Sequence, residues 1–491
     1  MNKRKKCLVV GICFLLIQVC FSEISLSGEK GAEDISHSDD YLSMSLEELM
    51  NVEIITASRK SQKISESPIA VSVITAEDIK RSGMTNIPDI LRRVPGVDVA
   101  SLTSSGYAVT TRRLNERYSN KMLAMIDGRL INKPFLGHTL WQNIPVQLEE
   151  IERIEIIRGP GSILYGANAF AGIINIITKS PEDLKGTFVE AGVGNLDTYR
   201  GTLIHAGKIE KLNYKISLGW EQGDNWEDLW DGRHRDTTRA DFRGEYELGA
   251  DKKVKFQAGL IEGNYQVICM HGGSYVDIDP GDSYYQVEYN QPNFHVRTYR
   301  NSTRQWETTV PTGKKRKMYG DLNHLELQHS FASGKYHNFV WGGNISQDKV
   351  DQTIIDEKRS HDLWAVYFED QIKLGDAFTL ALGGRYDDHS VFDNHFTPRT
   401  SLIYQFRKNH SFRLSYSTAF RNPSFVELYR QIDKKQGTKT IKKRGNDSLE
   451  PEEVNSFELG YYGLLSKRLN VGASLFYNEA EHLIEEYLSD K

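Results

Sequence analysis

Cysteine is nearly absent from the working part of this chain. Of its four cysteines, Cys7, Cys13 and Cys20 fall within the first 22 residues, which leaves Cys269 alone and excludes an intrachain disulfide once that segment is removed. Past residue 22 there is no run of 18 apolar residues, so no helix can span a bilayer. No excess of positive charge points to nucleic acid, because the formal net charge is -5. Phosphate-loop patterns are missing too. Gly161 to Gly166 is followed by Ala167-Asn168 where a Walker loop needs Lys-Ser/Thr, and Pro160 removes a backbone donor where a dinucleotide's phosphate would sit. No catalytic constellation is present. His138 and His271 lack a second ligand at metal spacing and read as loop residues, and Asp277, Asp279 and Asp282 read as a solvated acidic loop, with a cation site as the alternative.

The first 22 residues have the form of a secretory signal. Lys3-Arg4-Lys5-Lys6 precede an apolar run from Cys7 to Val19, and Cys20-Phe21-Ser22 puts small residues at the -3 and -1 positions of a cleavage site near Ser22. An exported chain without a helical span can be periplasmic, secreted or an outer-membrane barrel. Barrels escape hydropathy scans because lipid-facing and lumen-facing residues alternate.

Residues 23–44 are polar and acidic and read as a mobile lead-in. Ser45 to Met50 looks like a short helix opened by a capping box, Ser45 at the cap and Glu48 three residues on. Next comes a lone β-prone stretch, Val52-Glu53-Ile54-Ile55-Thr56-Ala57-Ser58. It is either the first strand of the following domain or a peptide that adds itself to another protein's sheet edge.

Residues 68–180 read as a compact α/β unit. Strands are expected at Ala70 to Ile74, Met122 to Asp127, Ile154 to Ile157 and Ile173 to Ile177. Helices are expected after Thr75 and over Thr85 to Val94, the second stopped by Pro95-Gly96. Beyond Lys185 the period becomes two. Leu212, Tyr214, Ile216, Leu218 and Trp220 alternate with polar residues, and similar runs start at Val254, Phe412 and Leu469. Short turns such as Gly249-Ala250-Asp251-Lys252 contrast with long polar insertions at Glu221 to Asp236, Gly263 to Met318 and Arg421 to Glu453. That asymmetry matches an outer-membrane barrel better than a soluble sandwich or propeller.

A series of segments sharpens this reading. "VEIITASR", "SPIAVSVITAEDIKRSG", "IPDILRRVPGVDV", "LAMIDGR" and "IERIEIIRGPGSILYGANAFAGIINIITK" follow one another over about 130 residues. In that order they resemble the plug domain of a TonB-dependent outer-membrane receptor. Weaker echoes of its barrel are "YSTAFRNPSFVELY" and "LEPEEVNSFELGYY".

The resemblance implies a transmembrane antiparallel β-barrel, 22-stranded in the family, occluded by an N-terminal α/β plug. It implies no enzyme and no cofactor, and energy-coupled uptake of a scarce ligand, most often a ferric siderophore. Cobalamin or haem, a non-functional truncated receptor, a signalling receptor and an exported β-rich enzyme are the alternatives. The expected organisation is a signal peptide over 1–22, a segment with the TonB box over 23–58, a plug over 59–180 and a partial barrel over 186–491.

By its motif the TonB box maps onto Val52, Glu53, Ile54, Ile55, Thr56 and Ala57, with TonB as partner. The family's plug arginines map onto Arg158 and Arg112, although Arg113 stands where the family has glycine. Their expected barrel partners are Glu458, in antiphase to Phe457, Leu459 and Tyr461, and Glu427; the alternative for Arg158 is that it merely caps the local turn. Gly159, Gly161, Gly166 and Gly172 are expected to allow tight turns and close backbone approach. About 14 to 16 strands are legible past residue 185, fewer than the family's number. A plug of this size, about 35 Å across, would not fit the lumen of a closed 16-stranded cylinder. The expectation is therefore a truncated or interrupted wall.

Overall fold

The computed structural model describes residues 53–57, 59, 62–114, 119–225, 234–268, 275–310, 312–436, 439–466 and 469–485, within a compact unit spanning residues 45–491. The signal segment, the Ser45 to Met50 helix, Val52, Cys269 and His271 lie outside the described residues.

The N-terminal part is built on a five-stranded sheet in the order β3 (Val71–Thr75), β8 (Ile151–Arg158), β9 (Gly172–Thr178), β6 (Met122–Ile126) and β7 (Arg129–Leu130). β6 and β9 run parallel and the other pairs antiparallel. β6 and β9 are apolar at nearly every position because both faces are covered, while β8 alternates isoleucines with charged residues. One face carries helices α1 (Ala76–Ser82) and α2 (Ile87–Leu91), whose Ile79, Ile87, Ile90 and Leu91 pack on Ile74, Ile154, Ile156, Ile174 and Ile176. Thr75 caps α1 through a reciprocal box with Asp78, and Gly83, at φ 66°, ends it. The second helix is shorter than its apolar face suggests: Asn86 caps it by accepting from the Asp89 amide, and turns replace helix after Leu91. A separate hairpin joins β4 (Val97–Ser101) to β5 (Tyr107–Thr111).

β1 (Glu53–Ile54) is not a strand without a partner. It pairs antiparallel with β2 (Gln62–Lys63), and Ile54 and Ala57 are fully buried on the sheet's second face against Val71, Leu123, Ile157 and Ile173.

The remainder is one antiparallel wall. It starts with β10 (Gly186–Gly194), β11 (Thr198–Ile209), β12 (Leu212–Asp224), β13 (His234–Gly249) and β14 (Lys252–Ile268). β15 (Tyr275–Asp279) and β16 (Gly281–Gln291) are two halves of one position broken at Pro280, since both lie between β14 and β17 (Phe294–Thr309). β18 (Lys314–Ser333), β19 (His337–Gln352), β20 (Arg359–Leu374) and β21 (Phe378–His389) follow in order. After β22 (His395–Arg407) and β23 (His410–Arg421) comes a connection holding helix α3 (Phe425–Tyr429) and the hairpin β24 (Gln431–Gln436) and β25 (Lys439–Arg444). β26 (Glu452–Ser466) and β27 (Leu469–Glu481) complete the sheet. Among the described residues, sixteen strands thus fill fifteen wall positions, and β10 and β27 each pair with one neighbour.

The expected insertion from Gly263 to Met318 is therefore mostly wall. Its inward Asp282, Gln286 and Glu288 are polar, and its outward face alternates only weakly, through Tyr285, Val287 and Tyr289. Strands that are polar on their inner face and long enough to rise past a bilayer lose the apolar contrast on which alternation depends.

The other runs have the expected faces. Trp220, Phe256, Leu260, Trp341, Ile345, Phe368, Leu414, Phe457 and Leu459 are exposed on the outside, while Lys215, Asp241, Arg385, Arg399 and Glu458 are buried inside. An apolar belt outside and buried ions inside is stable only with lipid outside and a polar filling within. Two- and three-residue turns such as 210–211, 250–251, 292–293 and 408–409 mark one end, and the long 422–451 connection the other. By that asymmetry the short-turn end is periplasmic and the other faces outward.

Candidate functional site

The α/β unit occupies the lumen and is held there by charged pairs. Arg112 ion-pairs with Glu458, stacks on Phe476 at 4.2 Å and donates to Ser456 Oγ at 3.2 Å. Sequence reasoning named both partners of this contact. The non-glycine at 113 does not break the register. Arg113 adopts φ 60°, the left-handed region that suits glycine, and its amide donates to Asp98 Oδ2 at 3.1 Å. A non-glycine there costs about 1–2 kcal/mol. Arg113→Gly is therefore expected to stabilise the unit by about 1 kcal/mol, read as a shift in its denaturant midpoint in detergent.

Arg158 is a correction. Among the described residues no glutamate lies within ion-pair distance of it; its Nη1 donates to the Pro95 carbonyl at 3.0 Å, bracing the turn at Gly96. Its carbonyl in turn accepts from Arg112 Nη2 at 3.0 Å, so Arg158 shapes the seat of the pairing residue. Burial draws both guanidinium groups below their ordinary values, with Glu458 opposing and each also feeling Arg413. Glu427 is the second correction. It caps α3 with Ser424 and pairs with Arg421 of the wall at 2.9 Å, and its contact with the plug is a 3.5 Å hydrogen bond from Asn120.

Five further bridges between the two parts, among the described residues, escaped the sequence reading because their partners are 65 or more positions apart, with no local signal linking them. Four are Arg59 with Glu326, Lys133 with Asp282 at 2.5 Å, Lys121 with Glu452 at 3.5 Å, and Asp127 with Arg243 at 3.5 Å. The fifth is Glu150 with Lys215, which also reaches Asp241 at 3.1 Å. All are buried or nearly so. For Asp127, burial alone would raise the carboxyl, but Arg243 and donors from Thr178 and Gln257 hold it below its usual value.

The acidic trio is also placed differently from its expectation as a solvated loop. Asp282 is the buried partner of Lys133 and Asn143, while Asp277 and Asp279 accept from Gln266 and Asn264 along β14. Among the described residues no group of three His, Cys, Asp or Glu side chains is set to hold a metal ion.

Two glycines have a steric reason for being so. At Gly159, φ is 105° and a Cβ would strike the Arg112 guanidinium. At Gly172 a Cβ would overlap the Ile157 carbonyl oxygen of the neighbouring strand. Gly161 lies against Ile173, and Gly166 (φ 77°) against Arg385.

His138 sits in a loop, as expected, but a buried one. Burial, with Lys133 nearby, lowers its pKa to about 3. The unfolded imidazole, at about 6.5, therefore takes up a proton that the folded one refuses, so stability is lost as pH falls from 6.5 towards 3. At pH 5 the loss is about 2 kcal/mol. His138→Gln is expected to flatten that part of the pH dependence, followed by proteolysis of the plug between pH 7 and 5.

At the periplasmic end, the backbone of the mapped box is gripped by a carboxylate. Glu155, fully buried on β8, accepts from the amides of Ile55 at 3.0 Å and Thr56 at 2.8 Å and is itself paired with Arg153 at 2.8 Å. Asn175 donates to Thr56 Oγ1 at 3.1 Å, while the Ile55 side chain is 43 % exposed. Beside it a cavity of about 540 Å³ opens between plug and wall, lined by Ile55, Arg59, Tyr165, Arg243, Arg297 and Glu326 among others.

Comparisons with known proteins converge on one group. Residues 183–490 match the model for "TonB dependent receptor-like, beta-barrel", and residues 63–173 that for the "TonB-dependent Receptor Plug Domain". The chain is 28% identical over 436 residues to the vitamin B12 transporter BtuB of Vibrio cholerae, covering 84% of this chain and 68% of that one. It is 25% identical to the iron-regulated outer membrane virulence protein of the same species, covering 87% and 68%. Among solved structures, the ferric enterobactin receptor PfeA of Pseudomonas aeruginosa superimposes with a TM-score of 0.67 at 19% identity, covering 86% of this chain and 73% of that one. The siderophore receptor PirA of the same species gives 0.66 at 20%, covering 84% and 74%.

Proposed function

Since the chain belongs to the TonB-dependent receptor family, and so to the outer membrane, we propose that it imports a scarce chelate by energy drawn through its N-terminal segment. A ferric siderophore is the ligand class proposed, with cobalamin or haem as the alternatives. The observation that carries the reading is the plug seated in the lumen by buried ion pairs, with the Ile54 to Ala57 segment at its periplasmic edge.

The domain limits proposed are a box segment ending near Ser58, a plug over 59–180 and wall from 186. The box proposed is Val52, Glu53, Ile54, Ile55, Thr56 and Ala57, with TonB as the partner. A strand added to another sheet is held by main-chain bonds and tolerates varied side chains. The amides of Ile55 and Thr56 that now point at Glu155 are the donors such a partner needs, so coupling exchanges one acceptor for another. Arg112 with Glu458 is proposed as the pair that keeps the plug in register while it rearranges, with Arg158 shaping its seat; Glu427 is proposed to act apart from it, through Arg421 and Asn120.

The test is accumulation of iron-55 chelates and labelled cyanocobalamin by cells carrying the chain. Uptake of at least one that a protonophore abolishes is the expected result; uptake indifferent to the proton gradient contradicts the reading.

A further inference from the structure

Among the described residues, lysine and arginine reach the lipid side of the wall's outward half in one sector alone. Strand register assigns the side: on β13, β21, β22 and β23, Arg243, Arg385, Arg399 and Arg421 all face the lumen and are buried. The exceptions are Arg300 and Arg304 on β17, Lys315 and Lys317 on β18 and Lys349 on β19, three neighbouring strands. They stand in antiphase to the inward Thr303, Met318 and Val350, and so point outward. Elsewhere the same level carries carboxylates, at Asp236 on β13, Glu262 on β14, Asp388 on β21 and Glu479 on β27.

The five cations begin where the apolar belt stops. Leu325 and Ile345, opposite each other and exposed, are its last row on β18 and β19. One row up, Arg300 stands beside Asn323; next, Lys349 stands opposite Asp321. Arg304 beside Tyr319, Lys317 beside Trp306 and Lys315 beside Thr308 continue towards the rim. At strand spacings the patch is about 10 Å wide and about 26 Å long. Trp306 meets Tyr319 edge to face at 6.0 Å, and Arg304 and Lys317 lie 5.4 and 5.5 Å from the Tyr319 ring. Aromatic rings of this kind mark the membrane interface, so the cations lie at headgroup level.

Two carboxylates share these three strands. Asp321 accepts from Ser302 Oγ at 2.5 Å and pairs with Arg300 at 3.2 Å and Arg304 at 2.9 Å. Asp351 pairs with Lys317 at 2.6 Å and with Lys358 of the next loop at 3.7 Å. The next carboxylate round the wall, Asp362 on β20, accepts from Gln347 at 2.8 Å. Both patch carboxylates are thus shared between two cations, and Lys315 and Lys349 have none within ion-pair distance among the described residues. A zwitterionic headgroup, with one phosphate and its own ammonium, leaves that surplus unanswered; a headgroup with two phosphates and no cation answers it.

We propose that Arg304, Lys317 and Lys349 form a lipid-facing site for an outer-leaflet glycolipid carrying two phosphates, whose acyl chains lie on Leu325 and Ile345. A soluble anion would meet the same cations but gain nothing from the apolar rows beneath them. The site is separate from the import reading and requires only that the wall stand in lipid.

Native mass spectrometry of the full chain in nonionic detergent tests it, with diphosphoryl lipid A, its monophosphoryl form and phosphatidylethanolamine offered in turn and inorganic pyrophosphate as competitor. The diphosphoryl form is expected to be retained about tenfold or more over the other two, and equimolar pyrophosphate should not displace it. Arg304→Gln/Lys317→Gln/Lys349→Gln should lose about tenfold or more of that retention with an unchanged β spectrum. Lys349→Gln, which breaks no ion pair, should show a smaller loss in the same direction. Lys314→Gln, on the lumen side of β18, should bind as the parent does. Parent-level retention by a folded triple variant, or by Lys349→Gln where the triple does not fold, overturns the proposal. So does equal retention of phosphatidylethanolamine, which would reduce the patch to a surface for acyl chains. Displacement by pyrophosphate would assign the cations to a soluble anion, and loss in Lys314→Gln would move the site into the lumen; either result also overturns it.

Discussion

Ile55→Pro is expected to reduce energy-coupled uptake to the level of cells treated with a protonophore while leaving ligand binding at the outward face intact. Proline has no amide hydrogen, so the change deletes the 3.0 Å bond from Ile55 to Glu155 and equally the donor that a partner strand would use. Only main-chain bonding is sensitive to this, because the side chain is 43 % exposed and fills no pocket of the plug. Ile55→Val keeps the amide and is expected to transport normally. Parent-level uptake by the proline variant would remove this strand from the coupling path.

The largest effect on stability is expected from Lys215→Met. The ammonium is 1 % exposed and stands between Glu150, on the plug side, and Asp241, on β13. Burying an ion pair gains little over an apolar replacement, but removing one partner strands the other, and such losses run to about 3–5 kcal/mol. Here two carboxylates are stranded across the seam. The expected readout is a lower denaturant midpoint in detergent together with protease cleavage of the plug. Adding Glu150→Gln to Lys215→Met should recover part of the loss, since it removes one uncompensated charge. An unchanged midpoint in the single variant would show that water reaches the seam and screens it.

What was legible in the sequence depended on range. Period-two runs fixed the facing of Glu458 inward and Phe457 and Leu459 outward, and capping residues such as Thr75 marked where α1 begins. Arg112 was legible through its motif, and the structure shows why Arg113 does not spoil it: the left-handed turn is kept at a modest cost. Contacts such as Lys121 with Glu452 were not legible, since nothing near either residue specifies a partner over 300 positions away. Arg158 was misassigned because its motif places it beside the ion pair without saying which way the guanidinium turns; the local Pro95 carbonyl is nearer. The stretch from Gly263 to Met318 hid its strands because its inward residues carry charge and its outward ones few apolar groups. The grip of Glu155 on the first strand was hidden too, since a glutamate alternating in a charged strand looks solvent-facing until the strand's other face is covered.

The central claim is that residues up to about 180 stopper a lipid-embedded wall formed by those that follow. Separation of cell envelopes on a density gradient, with an alkaline carbonate wash, tests it most directly. The expected result is a chain found with the outer membrane, resistant to the wash and released only by detergent. Recovery of the folded chain as a free monomer in buffer would contradict it.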